Sequence, residues 1–199
     1  MLSIEKHKHI YLFLIFVILS SCGKKDEKPV DLNDPAAVQR IVGEILPKEA
    51  RFSTSGHFTS DKILSIVAGT ETDTKNIQGI SFILIDKKDD EYKVDFRTHI
   101  LDGSFEKCLV DKIKLSSLGG EMIYYNSKDY FIGTSGGDIY SHIIDFRNKE
   151  VYSAHLVSGK TKRALLYLSG NVTDKLLRTF FVSYFKKDYP SLQVTQSDE

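Results

Sequence analysis

The chain has 199 residues with 27 basic and 27 acidic side chains, six histidines and two cysteines. The charge balance excludes an electrostatic case for nucleic-acid binding, and two cysteines exclude a disulfide framework.

Residues 1–21 read as a secretion signal. Lys6 and Lys8 form a positive start, and Ile10 to Leu19 is an uncharged apolar run too short for a stable bilayer span. It meets Leu19-Ser20-Ser21-Cys22, which resembles the lipobox of bacterial lipoproteins. That resemblance implies cleavage between Ser21 and Cys22, a lipid on the Cys22 thiol, and attachment to the membrane through it. Each buried methylene adds about 0.8 kcal/mol, so two or three acyl chains anchor a protein that one chain would let exchange. An acylated Cys22 leaves Cys108 alone, so no internal disulfide is expected. Cys108 itself reads as a buried structural thiol.

Residues 22–33 form the anchor and a charged tether, Gly23-Lys24-Lys25-Asp26-Glu27-Lys28-Pro29, too polar to pack. Lys25-Asp26-Glu27 also resembles the surface-export signal of some Gram-negative lipoproteins. The implied location is the outer membrane, exposed at the cell surface or facing the periplasm.

One globular domain is expected over 34–190. It opens with a helix capped by Asp34, with Pro35 in its first turn and Val38, Ile41, Val42, Ile45 and Leu46 on one stripe; Pro47 ends it. Short runs rich in Ile, Val, Tyr and Phe then predict strands near 64–70, 79–86, 92–100, 108–116, 122–126, 129–134, 139–146, 150–157 and 164–169. A second helix is expected over about 172–188, with Asn171 and Thr173 as cap candidates. Its stripe of Leu176, Leu177, Phe180, Phe181, Tyr184 and Phe185 suits a sheet cover, and Pro190 stops it. Residues 191–199 read as a polar tail.

The strand region reads as a duplication. Thr98–Gly103 aligns with Ala154–Gly159, Lys107–Val110 with Arg163–Leu166, Ile66–Thr70 with Phe131–Thr134, and Leu84-Ile85-Asp86 with Ile143-Ile144-Asp145. The fold class is therefore α+β, mainly β: a four-stranded antiparallel meander repeated over about 64–116 and 128–169. It would form a two-sheet sandwich or an eight-stranded barrel, with amphipathic helices at both ends. The repeat bears a faint resemblance to VCBS and propeller units at Gly56-His57-Phe58-Thr59-Ser60-Asp61. His57, Thr59 and Ser65 stand where the VCBS pattern has acids or amides, so calcium binding does not carry over.

Chemical motifs are incomplete. Gly133-Thr134-Ser135-Gly136-Gly137 resembles the nucleophile turn of trypsin-like serine proteases, but the histidine context and the acid before the serine are missing, which leaves a β-turn. Gly159-Lys160-Thr161 lacks the leading glycine of a P-loop, since Ala154 occupies that place. Ser104-Phe105-Glu106-Lys107 has the spacing of penicillin-recognising enzymes without their other motifs. If Asn148-Lys149 is a two-residue turn, His142 faces His155 across a hairpin, without a carboxylate to complete a metal set. Asp86, Asp89, Asp90 and Glu91, interrupted by Lys87 and Lys88, read as a solvated hairpin turn.

No catalytic, metal or cofactor site is assigned. The favoured function is a non-catalytic binding or accessory lipoprotein of the envelope, held to the membrane at Cys22 and working with an envelope protein. Alternatives are capture of a small glycan or lipid, or a hydrolase assembling His99 with Asp102 or Ser135.

Overall fold

The computed structural model describes residues 30–46, 50–74, 77–106, 108–116, 118–127, 136–159 and 162–197. From Leu32 onward the chain forms one compact unit. It begins two residues before the expected domain boundary, because Leu32 is buried in the core.

Helix α1, Pro35–Ile45, starts as its sequence dictates. The Asp34 carboxylate accepts the Ala36 N–H, and Val38, Ile41 and Val42 are buried. Strands β1 (Phe52–Gly56), β2 (Ser65–Asp73), β3 (Gln78–Lys88) and β4 (Glu91–Arg97) follow as an antiparallel meander, the first sheet. Asp89 and Asp90 both have positive φ and make the two-residue β3–β4 turn. A bulge sets Asp95 outside the ladder, where it bridges Lys88 and Lys149.

The chain crosses to the second sheet along Thr98–Cys108, held to β3 by Leu101 paired with Ile80. Strands β5 (Leu109–Ile113), β6 (Met122–Asn126), β7 (Gly137–Asp145), β8 (Glu150–Ser158) and β9 (Arg163–Leu168) form a second antiparallel meander. Helix α2, Lys175–Asp188, leads to β10, Gln193–Gln196, which lies parallel to β9. Sheet orders are β1-β2-β3-β4 and β10-β9-β8-β7-β6-β5.

Period-two burial sorts these strands into layers. Val67, Ile80, Phe82 and Leu84 of the first sheet pack on Ile123, Tyr125 and Ile144 of the second. On the outer face of the first sheet, Ile66, Ala68, Ile83 and Ile85 meet α1. On that of the second, Tyr124, Ile143, Tyr152, Leu156 and Leu166 meet Leu177, Phe181 and Phe185 of α2. The result is a four-layer stack, helix on sheet on sheet on helix.

Two facing sheets take the place of the alternative closed barrel among the described residues. The first repeat does not coincide with one sheet: its last strand, β5, pairs with β6, and β1 completes the first sheet instead. The strand expected at 129–134 lies outside the described residues. Within the expected polar tail, Gln193–Gln196 is a strand. Asp174 caps α2 by accepting the Leu176 and Leu177 N–H groups, whereas the expected cap Asn171 ties Ser169 to the Val151 carbonyl and Thr173 stands one residue short.

Candidate functional site

Among the described residues, six strands facing four leave part of the second sheet's inner face without a partner sheet. Phe82 meets Tyr125 of β6 with ring centroids 5.5 Å apart, and Phe96 meets Phe146 just after β7. The first sheet therefore rests on the β6 and β7 side, and the same face of β8 and β9 extends past it. Register brings three rings into a row there, since Tyr140 pairs with His155 and His155 with Tyr167. Tyr140 and His155 stack 4.3 Å apart at 8°, and Tyr167 stands 6.1 Å from His155, tilted by 36°. All three are half-buried.

Asp138 Oδ1 lies 3.3 Å from His155 Nε2, an ion pair whenever the ring is protonated, with side chains 44% and 32% exposed. Leu165, 45% exposed, adds an apolar side chain on the same face beside Val157. Stacked rings of this kind add roughly 0.5–1.5 kcal/mol beyond their burial and hold one another upright. A row of fixed rings with an acid at one end suits recognition of a cyclic, polar ligand.

Beyond Tyr167, on the β10 side, a cleft of about 330 Å³ opens between the end of β9 and the first turn of α2, lined by Tyr167, Ser169, Val172, Arg178, Gln196 and Ser197. Arg178 donates from Nε to the Val172 carbonyl at 3.0 Å, which fixes the guanidinium plane. Ser169 is committed to the scaffold: its hydroxyl donates to Asn171 Oδ1 and accepts the Ser153 N–H.

His142 sits one pair inward from the ring row and is fully walled in. Its Nδ1 and the Ser153 hydroxyl are 2.9 Å apart, and its ring stacks on Tyr125 at 5.8 Å. Nε2 is buried without a hydrogen-bond partner among the described residues. Burial, with His99 adding repulsion, pushes its pKa down to about 3. A neutral imidazole of such low basicity, with no acid on its second nitrogen among the described residues, cannot activate Ser153. The pair serves packing.

The structure relocates several sequence expectations. His142 pairs with Ser153, and His155 with Tyr140, because the hairpin loop spans four residues rather than two. The Asp145 carboxylate takes the N–H groups of Arg147 and Asn148 and the Asn148 side-chain amide, and Lys149 adopts positive φ. His99 is exposed, and Asp102 contributes its backbone carbonyl to the Tyr125 hydroxyl. Cys108 is half-buried against the layer between the sheets rather than fully buried. Asp86 accepts from the hydroxyls of Thr59 and Ser65 at the start of its hairpin. Ser21, Cys22, Ser135, Lys160 and Thr161 lie outside the described residues.

Tyr140, Tyr167 and Arg178 were not singled out from sequence. The signal was present in the alternation Ile139-Tyr140-Ser141-His142 and Leu166-Tyr167-Leu168, which puts each tyrosine on the face opposite the α2 core.

A scan of protein-family models and searches of curated proteins and of solved structures returned no match. Among the described residues no helix is long and apolar enough to cross a membrane, and no three His, Cys, Asp or Glu side chains converge as a metal set.

Proposed function

We propose that this chain is a membrane-anchored binding or accessory lipoprotein of the bacterial envelope, non-catalytic, tethered through a lipid on Cys22. The observation that carries the reading is the run Leu19-Ser20-Ser21-Cys22 behind an apolar segment, followed by a charged tether and a folded unit that begins at Leu32. The ring row on the second sheet supplies a binding face.

Labelled fatty acid should enter the wild-type protein and be lost, with membrane retention, in Cys22→Ala. Unchanged incorporation and retention in that variant would refute the anchor. A cross-linked pull-down of the tagged full-length protein from native envelopes should recover one near-stoichiometric protein partner.

A second reading, capture of a small glycan, is favoured by the cleft beside Tyr167, whose lining is mostly polar. The strand region, about 64–116 and 128–169, is further taken as the product of a duplication. In support, Asp86 and Asp145 each follow a pair of branched apolar residues, and each carboxylate accepts backbone N–H groups just after it, from Lys87 to Asp86 and from Arg147 and Asn148 to Asp145.

A further inference from the structure

We infer that the surface where the β1–β2 and β7–β8 loops meet is a docking site for an acidic, apolar segment of a partner protein, gripped by Arg147 and Ile63, with Asp61 holding the carboxylate's place until the partner arrives. This deepens the accessory reading above and rests on it.

The guanidinium is set in advance. Arg147 stands on the β7–β8 loop, where its N–H is held by the Asp145 carboxylate. Its side chain lies against Gly119 and Gly120 of the β5–β6 loop, both at positive φ, where an added Cβ would come within 3.2 and 3.0 Å of guanidinium nitrogens. Only bare backbone leaves room for it there. Much of the freedom a long side chain loses on binding is thus already lost.

Its counter-ion is weakly held. Asp61 accepts from one Nη at 2.9 Å, with the Arg147 and Asp61 side chains 30% and 70% exposed. An exposed pair of this kind contributes little, and a carboxylate taken by both Nη groups at once would replace it. The hydrogen bond and charge of Arg147 hold the Asp61 carboxyl below its ordinary range, with smaller help from Lys114 and His57, so the place favours a negative group. Other carboxylates nearby are spent. Glu121 accepts the His57 N–H and pairs with Lys112, and Asp145 closes its own loop. Ser117, the one residue of the β5–β6 loop outside the described ones, is uncharged.

An apolar anchor stands close by in the chain. Ile63, two residues after Asp61, is 59% exposed, more than any other large apolar side chain among the described residues. Arginine and a buried apolar anchor are the pair that interface cores favour. A free anion would use Arg147 and leave Ile63 in water, so the two together select a protein segment that carries both an acid and an apolar residue.

The test is photo-cross-linking of the full-length lipoprotein in native envelopes, with benzoylphenylalanine in place of Lys62 or, as a control, of Thr195 on β10. One adduct should form from position 62 and not from 195, and the cross-linked segment, sequenced by mass spectrometry, should carry Asp or Glu. Arg147→Gln should lower its yield at least about tenfold, the loss expected for one charge-assisted pair. Ile63→Ser should lower it too. Asp61→Asn should raise it, whereas a purely structural clasp between the two loops would make it fall, and a yield that falls or stays level overturns the inference. If Arg147→Gln does not fold, Arg147→Lys decides: it keeps the charge and loses the paired donation, so an undiminished yield overturns the inference. A partner recovered from envelopes without an adduct at position 62 overturns this surface and leaves the accessory reading standing. No partner by either route overturns both.

Discussion

His142 carries the clearest chemical consequence of a single position. Its imidazole has an ordinary pKa of 6.5 in the unfolded chain and about 3 in the folded one. Between those values the unfolded state holds one more proton, so stability rises with pH across that window and falls as the solution is acidified. Urea unfolding at pH 7 and pH 5 should therefore show wild type losing up to about 2 kcal/mol more than His142→Gln, at 1.36 kcal/mol per unit. Equal losses in the two proteins would mean that the ring is solvated. Gly69, in the middle of β2, shows a steric limit instead: a Cβ there would meet the Phe105 ring at 2.4 Å. Gly69→Ala should lower stability by about 1–3 kcal/mol in the same assay. At this scale the sequence was half legible. The histidines on β7 and β8 were read onto one face correctly, and their pairing was displaced by two residues. Asn148-Lys149 looks like a tight turn, but the Asp145 carboxylate organises a wider one, and only tertiary geometry shows where that carboxylate points.

The two helices illustrate how far local signals reach. Asp34, Pro35 and the apolar stripe of α1 were sufficient to place that element, because cap, first turn and buried face agree. The stripe of α2 was equally plain, and Phe181 and Phe185 are buried against the second sheet. Its cap was not, since Asn171, Thr173 and Asp174 are all good cap residues within one short stretch and backbone direction chooses among them. Asp174→Ala should cost about 1 kcal/mol by thermal or urea unfolding, while Asn171→Ala should act through the Ser169 and Val151 contacts rather than through helix content. Phe181→Ala should cost about 3–5 kcal/mol, since the ring fills the α2 layer. Strands β1 and β10 escaped notice for a common reason. Phe-Ser-Thr-Ser-Gly and Gln-Val-Thr-Gln are edge segments held mainly by ladder hydrogen bonds, with too few apolar residues to show a period.

For the whole molecule, the mainly β composition and the presence of a helix toward each end of the domain were legible from period and caps. The partition of strands between sheets was not. It is decided at Thr98–Cys108, where the chain leaves β4 and joins β6 through β5, a choice made by contacts far apart in sequence. The ring row depends on that partition, because a six-stranded sheet under a four-stranded one is what leaves its β8 and β9 face without a covering sheet. Removing residues from 193 onward should unseat β10, lower the unfolding midpoint and favour oligomers by size-exclusion chromatography, with far-UV circular dichroism little changed. The same geometry bears on how the protein is made. The backbone groups along the outer side of β9 find their partners in β10, which is synthesised only after α2, so a nascent chain that stops short of Gln193 presents a raw, unpaired strand to its neighbours. The arrival of β10 is thus also the step that makes the product unsociable, and a chain cut before Gln193 would show itself as self-association before any loss of fold.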